Sequence, residues 1–167
     1  MEHVKIGDKS SDSDPVTMGY DQHLGLAYPF SLNEKLKKIT EPCRWYSPNT
    51  AGESPWGKAI IPTEMINPLV SHTSTGLATA KQPSIGLFAD LEIRMLKGPL
   101  FVGQEYLLER EVVGLGESKR TESMWVKTYI RDPQNNDLLA TVLLNSAVMK
   151  DSYENYLEDA QRIGKTV

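Results

Sequence analysis

Alternation of apolar and polar side chains dominates the second half of the chain. Residues 89–95 alternate between apolar and charged side chains, which is the period-two pattern of a half-buried β-strand. The same alternation predicts strands over residues 106–113 and 121–131. Residues 138–149 are apolar at both odd and even positions, and so on both faces, as expected of a central strand. Turn residues separate these segments at Gly98-Pro99, at Gly114 and Gly116, and in the hairpin-like run 132–137. The pattern therefore predicts an antiparallel meander of at least four strands.

The first half of the chain shows weaker periodicity. Residues 1–19 carry Lys, Ser and Asp with few large apolar groups, which predicts a polar lead-in that packs poorly. Residues 25–32 fit a short strand, and Asn33 is the candidate N-cap of a helix that follows it. At the other end, residues 151–167 fit a short polar tail, in part helical. We therefore expect the folded domain to lie between these ends, over residues 20–150.

One segment has the composition of a buried helix. Residues 59–69 are mostly apolar, and Pro62 and Thr63 stand where a helix would begin. Pro68 lies six residues beyond Pro62, and because proline lacks the N–H that a helix interior needs, this helix should be short or kinked. A single apolar helix followed by a strand meander is typical of α+β proteins. We expect an α+β fold in which this helix packs against a curved antiparallel sheet.

Composition narrows the class of protein. The chain has 167 residues, a formal net charge of −4 and a single cysteine, Cys43, so neither an internal disulfide nor a thiolate zinc cluster is expected. An acidic chain without a basic stripe is a poor match for nucleic acid, and no apolar run is long enough to span a bilayer. No glycine-rich phosphate-binding loop is present, and we expect no cofactor and no metal. The N-terminus lacks the pattern of a signal peptide, so we expect a soluble cytoplasmic protein.

Four segments carry a resemblance to a known family. Residues 54–62 (SPWGKAIIP) resemble the small–aromatic–glycine sequence that leads into the central helix of MaoC-like acyl dehydratases. Residues 86–94 (GLFADLEIR) are similar to the strand that follows that helix, and residues 98–103 (GPLFVG) to the turn into the next strand. Residues 116–122 (GESKRTE) resemble the divergent branch found beside polyketide and acyl-CoA pathways. The resemblance covers residues 25–150 and implies a hot-dog fold, an antiparallel β-sheet wrapped around a central apolar α-helix.

The catalytic signature of that family is missing from this chain. In MaoC-like enzymes an Asp and a His within a D-x-N-P-x-H run supply the base and acid that add water across an α,β-unsaturated thioester. The N-terminus of the central helix stabilises the developing enolate. The corresponding run here, residues 44–53 (RWYSPNTAGE), contains neither residue, and no Asp occurs between Asp21 and Asp90. An active enzyme with this fold would need other residues to act as its base and its acid.

Two residues of the apolar helix and its end are candidates for that set. Glu64 stands in the first turn, where the helix dipole favours a carboxylate, and the resemblance to hot-dog thioesterases implies a catalytic role; the alternative is a plain helix-capping Glu. His72 follows the helix and could act as a general acid–base; the alternative is a solvated or hydrogen-bonded loop histidine. Eight residues apart, the two would lie near one face of an unbroken helix, an inference that Pro68 weakens.

The aromatic loop before the apolar helix supplies the remaining candidates. Tyr46 could donate a proton or bind a carbonyl, Asn49 could orient a substrate oxygen, and Glu53 could act as a base. Trp45 and Trp56 could line an acyl or polyketide pocket. The alternative is a loop packed by its own aromatic side chains, with both tryptophans as anchors.

Three functional hypotheses follow from the resemblance. The first is a MaoC-like enzyme that dehydrates, hydrates or isomerises an acyl thioester or polyketide-like intermediate through a set drawn from Tyr46, Asn49, Glu64 and His72. The second is a hot-dog thioesterase in which Glu64 activates water. The third is a catalytically inactive subunit that binds an acyl ligand or supports an active relative. In each case we expect a homodimer or higher oligomer, since a lone hot-dog subunit would expose a sheet edge and an apolar surface.

Overall fold

A computed structural model describes residues 3–12, 14–25, 28–73, 77 and 84–165 of the chain. Within these ranges it contains five strands and three α-helices, in the order β1 (Lys9–Ser11), α1 (Leu32–Leu36), α2 (Thr63–Ser71), β2 (Gly86–Met95), β3 (Leu107–Glu117), β4 (Thr121–Arg131), β5 (Leu138–Met149) and α3 (Tyr156–Arg162). Single turns of 3-10 helix occupy Arg44–Tyr46, Ala51–Glu53 and Lys150–Ser152.

The five strands form one antiparallel sheet in the order β1-β3-β4-β5-β2. β4 occupies the range that alternation predicted, and β5 occupies the range predicted from apolar residues at both odd and even positions. β5 lies between β4 and β2, as expected from the apolar side chains that it carries on both faces. The turn between β4 and β5 closes through the Asp132 N–H, which donates to Asp137 O at 3.0 Å. The predicted antiparallel sheet is therefore confirmed, but only β3, β4 and β5 form a meander, since β2 pairs with β5 at one edge instead of with β3.

Two glycines near the end of β3 serve close packing rather than a turn. The prediction that Gly114 and Gly116 end this strand is wrong, since β3 continues through both to Glu117. Trp125 of β4 lies across them: a Cβ at Gly116 would be 2.9 Å from Trp125 Cζ3, and one at Gly114 would be 3.3 Å from Trp125 Cε3. The glycines leave the space that the indole ring fills.

The core lies between α2 and one face of the sheet. Met65, Ile66 and Leu69 of the helix are at most 2% exposed. They share one cluster with the sheet residues Leu108, Ile130, Ala140 and Val142. Burial of this apolar surface is the main stabilising contribution to such a layer. The predicted α+β architecture, with one apolar helix against an antiparallel sheet, is confirmed.

The N-terminal residues pack more closely than predicted. β1 extends the sheet beside β3, and Val16 forms an isolated bridge with Tyr106. Val16 and Met18 are buried in the main core. The expectation that residues 1–19 pack poorly is therefore wrong for the buried Val4, Val16 and Met18 and for the paired strand β1, while most of the other described residues of this segment are exposed.

α1 begins at a different cap from the predicted one. The Ser31 hydroxyl accepts a hydrogen bond from the Glu34 N–H at 3.3 Å, and the Glu34 carboxylate accepts one from the Ser31 N–H at 2.8 Å. This reciprocal capping box makes Ser31 the N-cap instead of Asn33, which has no Glu or Gln three residues later. The predicted strand over residues 25–32 is wrong, since its described residues lie outside any strand.

Ion pairs hold the C-terminal segment against the β3–β4 end of the sheet. Lys150 Nζ lies 2.5 Å from Glu117 Oε1, and Lys165 pairs with both Glu117 and Glu122. The Tyr156 hydroxyl donates to Glu117 at 3.2 Å. The segment is partly helical, as predicted, and its charges anchor it to the rest of the fold.

Candidate active site

α2 begins at a proline and carries no side-chain cap. Pro62 is the N-cap residue, with φ −56° and ψ 142°, and no side chain accepts a hydrogen bond from the first turn. The Met65 N–H donates to Pro62 O at 2.8 Å, which leaves the Thr63 and Glu64 N–H groups of that turn without a partner within the helix. Their partial positive charge favours an anion or a polarised carbonyl at this end. The predicted start at Pro62 and Thr63 and the short length, with Pro68 inside the helix, are confirmed.

A cavity of 270 Å³ adjoins this helix start. Three of its walls are Ile61, Ile66 and Leu100, which are at most 4% exposed. Tyr46 and the edge-strand residue Met95 also line it. The remaining lining residues are Ile60, Thr63, Gly98 and Pro99. A largely apolar space with a few polar groups is the usual composition of a small-molecule site.

Backbone hydrogen bonds fix Tyr46 at this cavity. The 3-10 turn Arg44–Tyr46 closes through the Tyr46 N–H, which donates to Cys43 O at 3.1 Å. The Tyr20 hydroxyl donates to Tyr46 O at 2.8 Å. The Ile60 N–H donates to Trp45 O at 3.0 Å and so ties this loop to the segment that leads into α2.

The Tyr46 phenol stays protonated at neutral pH. Burial raises the pKa of Tyr46 above its ordinary value of 10.0, and the nearby Cys43 and Glu64 raise this pKa further. A protonated phenol can donate a hydrogen bond or a proton. Tyr46 is therefore suited to binding a carbonyl or to acting as an acid.

Glu64 lies in the first turn of α2, as predicted, but it is not among the cavity-lining residues. Its carboxylate lies 3.6 Å from Lys35 Nζ, and its side chain is 46% exposed. Glu64 is close enough to Tyr46 to raise the pKa of the phenol electrostatically. Tyr46 and Glu64 therefore lie near the same end of the helix.

His72 lies at the opposite end of α2. It is the C-cap residue, and its Nδ1 lies 3.2 Å from Pro68 O. Eight residues of helical rise separate it from Glu64 by about 12 Å along the axis. His72 and Glu64 are therefore too far apart to act on the same atom.

The other predicted site residues of the loop lie outside the cavity lining. Asn49 is exposed between the two 3-10 turns, and Glu53 takes part in an exposed ion pair. The rings of Trp45 and Trp56 meet edge to face with centroids 5.7 Å apart, and Trp56 meets Phe101 at 6.1 Å. This geometry favours the alternative in which both tryptophans anchor the loop.

One supporting residue was missing from the sequence analysis. The Tyr106 hydroxyl accepts a hydrogen bond from the Phe101 N–H at 2.6 Å and donates to Phe101 O at 3.3 Å. Tyr106 is fully buried, and burial raises its pKa to about 12. These bonds hold the turn that carries Leu100 into the cavity wall. No local pattern distinguishes this tyrosine from an ordinary strand residue.

The residues that the structure describes include neither a cluster of metal ligands nor a membrane-spanning helix. Among them, no three His, Cys, Asp or Glu side chains cluster in a way that could hold a metal ion. None of their helices combines the length and the apolar character needed to cross a bilayer.

Comparison with solved structures defines the fold. Across nearly its whole length the chain has the hot-dog architecture of MaoC-like dehydratases, so the predicted fold is confirmed. The HadBC (3R-hydroxyacyl-ACP dehydratase) complex from Mycobacterium tuberculosis matches with a TM-score of 0.63 and 11% identity, over 88% of this chain and 99% of that chain. A MaoC-like dehydratase from Rhodospirillum rubrum matches with a TM-score of 0.56 and 14% identity, over 89% of this chain and 95% of that chain. The ChsH1–ChsH2 complex from Mycobacterium tuberculosis matches with a TM-score of 0.50 and 12% identity, over 84% of this chain and 82% of that chain.

Sequence comparison adds no family or relative to these structures. No protein-family model and no curated protein sequence matches the chain. At identities of 11–14%, the structural likeness establishes the fold, and function has to be argued from the site.

Proposed function

We propose that this chain acts on an acyl thioester, adding water to the acyl group or removing it. The supporting observation is the cavity at the uncapped start of α2, which Tyr46 lines. A thioester carbonyl at this position would accept hydrogen bonds from the first N–H groups of the helix. Those groups would stabilise the negative charge that develops on the carbonyl oxygen as an enolate forms.

Tyr46 and Glu64 are the proposed acid and base. In the hydration direction, the Glu64 carboxylate takes a proton from water as the water oxygen bonds to the β-carbon. The double-bond electrons move onto the thioester as an enolate, and the Tyr46 hydroxyl then donates a proton to the α-carbon. Proton transfer from Glu64 to Tyr46 restores both groups, and dehydration is the reverse sequence. The proposal leaves out His72, which lies at the far end of α2, and the exposed Asn49.

The test is hydration of trans-2-enoyl-CoA substrates, followed as loss of the enoyl absorbance and as formation of the 3-hydroxyacyl product. Tyr46→Phe and Glu64→Gln should each lower kcat by about 10²–10⁴-fold, the usual contribution of a general acid or base. Asn49→Ala and His72→Ala are controls that should keep the wild-type rate. Wild-type protein without hydration or dehydration activity, or full activity in both site variants, would overturn the proposal.

Specific observations also favour a second candidate function, that of a non-catalytic subunit. Glu64 is engaged by Lys35 and is nearly half exposed, and the Asp–His pair of MaoC-like enzymes is absent. Two of the similar structures are complexes of hot-dog subunits. Under this proposal the chain binds an acyl thioester unchanged and co-purifies with a second hot-dog chain that carries D-x-N-P-x-H. Release of free CoA thiol in the same assay would instead support the thioesterase hypothesis.

We further propose that β2 pairs with a second copy of the chain. β2 is a ten-residue edge strand, and its Phe88 and Leu91 side chains are 68% and 41% exposed. A long apolar edge with unpaired backbone groups favours association. Leu91→Lys should convert the dimer to a monomer in analytical ultracentrifugation, while Leu157→Lys, at an exposed leucine of α3, should leave it dimeric. A monomeric wild-type protein would contradict this proposal.

A further inference from the structure

The charged residues of β2 determine how two copies of this strand pair. We propose that the two β2 strands pair antiparallel about a two-fold axis at Ile93, so that Glu92 of each copy lies opposite the partner's Arg94. The register rests on the proposed pairing of β2 with a second copy, and it fixes which residues of the two copies meet.

Every second residue of β2 has backbone groups free for a further strand. The Leu96 N–H donates to Leu139 O of β5 at 2.8 Å, so the even-numbered residues at this end of β2 direct their backbone groups towards β5. Leu91, Ile93 and Met95 therefore direct their N–H and C=O groups towards the open edge. A second copy can hydrogen-bond to the chain at these three positions.

The side chains of β2 divide between the two faces of the sheet. Ile93 packs against the main hydrophobic cluster and Met95 lines the cavity, so both lie on the face that packs against α2. Glu92 and Arg94 lie on the opposite face, where Arg94 Nε is 2.8 Å from Glu92 Oε1. Opposite residues of an antiparallel pair share a face. Both copies keep α2 on the same side of one continuous sheet only if the axis passes through a residue and not between two residues.

Charge disfavours the neighbouring registers. With the axis at Leu91, Asp90 of each copy would lie opposite the partner's Glu92. With the axis at Asp90, Glu92 or Arg94, that residue would lie opposite the same residue of the partner. Like charges directly opposite each other destabilise a strand pair. The axis at Glu92 would add two pairs of Asp90 with the partner's Arg94, but it would keep the like-charge pair at its centre.

An axis at Ile93 gives opposite charges without a like-charge pair. Glu92 lies opposite the partner's Arg94 twice by symmetry. Leu91 lies opposite the partner's Met95 on the inner face, and each is 41% exposed in the lone chain, so pairing removes apolar surface from water. Residues 91–95 of each copy pair, and all of them lie beyond the β-bulge near the start of the strand. Since Met95 also lines the cavity, the partner's Leu91 would lie next to it.

Single cysteines at Leu91, Glu92 and Ile93 locate the axis. Cys43 is the one native cysteine, so each variant is made together with Cys43→Ser. A residue on the axis has its Cα about 5.5 Å from that of its own copy, within the range of roughly 4.4–6.8 Å that a disulfide spans. Ile93→Cys should therefore give a covalent dimer on oxidation with copper phenanthroline, measured by non-reducing electrophoresis. Leu91→Cys is the matched control and should stay uncrosslinked, because its two copies would lie about 13 Å apart along the strands.

Charge reversal tests the pairing of Glu92 with Arg94 independently. Glu92→Arg and Arg94→Glu should each raise the Kd of the dimer at least about tenfold in analytical ultracentrifugation, because each places like charges opposite each other. An equimolar mixture of the two variants should restore dimerisation, since all four charges then face an opposite charge. Lys127→Glu is the control and should keep the wild-type Kd, because Lys127 shares the face of Glu92 but lies on the inner strand β4.

The outcomes separate the register from the pairing of β2 itself. Cross-linking through Leu91→Cys or Glu92→Cys in place of Ile93→Cys, or a tighter dimer in Glu92→Arg, would overturn the register and leave the pairing of β2 intact. A monomeric wild-type protein, or a dimer that no cysteine variant cross-links and neither charge reversal weakens, would overturn the pairing and the register together.

Discussion

Arg110 and Asp12 form a buried ion pair that joins three parts of the fold. The Arg110 guanidinium donates two hydrogen bonds to the Asp12 carboxylate, of 2.6 and 3.2 Å, and the two side chains are 3% and 7% exposed. Arg110 also donates to Val70 O at 2.8 Å, and the Thr73 hydroxyl donates to Asp12 at 2.6 Å. The pair thus connects the N-terminal segment, the end of α2 and strand β3.

Loss of the Arg110 charge should strongly destabilise the fold. Arg110→Met leaves the Asp12 carboxylate buried without its cationic partner and Val70 O without the Arg110 donor, and an uncompensated buried charge typically costs about 3–5 kcal/mol in the free energy of unfolding. Urea denaturation measures this loss. Arg94→Met is the control, because Arg94 and its partner Glu92 are 66% and 47% exposed, and such surface pairs contribute about 1 kcal/mol or less. Equal losses in the two variants would contradict this account of Arg110.

The glycines under Trp125 give a second prediction. Gly116→Ala should lower the free energy of unfolding by about 1–3 kcal/mol, the usual effect of overpacking, because the new Cβ would lie 2.9 Å from the indole ring. At Gly86, also in a strand, a Cβ would meet nothing within 4 Å, so Gly86→Ala is the control. Replacement of Trp125 by Leu should remove most of the Gly116→Ala effect, as thermal or urea unfolding of the double variant would show.

Gly114 and Gly116 also show which parts of the fold the sequence could predict. The bounds of β4 follow from alternation along the strand and those of β5 from its apolar run, and both patterns are local properties of the sequence. The two glycines make room for Trp125 of the neighbouring strand, and this contact cannot be recognised from the residues around them. Local turn signals alone therefore predict a break in the strand at Gly114 and Gly116. The Ser31 cap was accessible to sequence analysis, because Ser31 and Glu34 have the spacing of a capping box.

The candidate site was predictable only in part, because it also depends on contacts between residues that are distant in sequence. Tyr46 and Glu64 were singled out from a loop and a helix start, and both lie at the start of α2. The cavity beside Tyr46 needs Met95 and Leu100, which are distant in sequence and carry no chemical signal of their own. His72 was linked to Glu64 by helical periodicity, which ignores the distance along the helix axis.

The Tyr106 hydroxyl gives a third prediction. Tyr106→Phe leaves the Phe101 N–H without the acceptor it has at 2.6 Å, and an unpaired buried polar group costs about 1–3 kcal/mol. We expect a loss of this size in urea denaturation. Tyr129→Phe is the control, because the Tyr129 hydroxyl bonds at 3.2 Å to a half-buried Glu111 and water can replace that bond. A larger loss for Tyr129→Phe than for Tyr106→Phe would contradict the assigned role of Tyr106.

Glu117 should make the stability of the protein depend on pH in the acid range. Hydrogen bonding to Lys150, and secondarily to Lys165, lowers the pKa of Glu117 from 4.5 to about 2. A carboxyl whose pKa is lower in the folded state stabilises the fold when ionised. Its contribution is therefore complete above pH 4.5 and is lost as the pH falls through about 2.

Glu117→Gln should flatten the decline in unfolding midpoint between pH 4.5 and about 2, because the variant has no proton to bind at this position. The exposed Glu154→Gln serves as the control and should keep the wild-type slope. Since the Glu117 side chain is 40% exposed, added salt should screen the pairs with both lysines and reduce the difference between wild type and Glu117→Gln. An identical pH slope in wild type and Glu117→Gln at low salt would show that the lysine pairs do not stabilise the folded C-terminal segment.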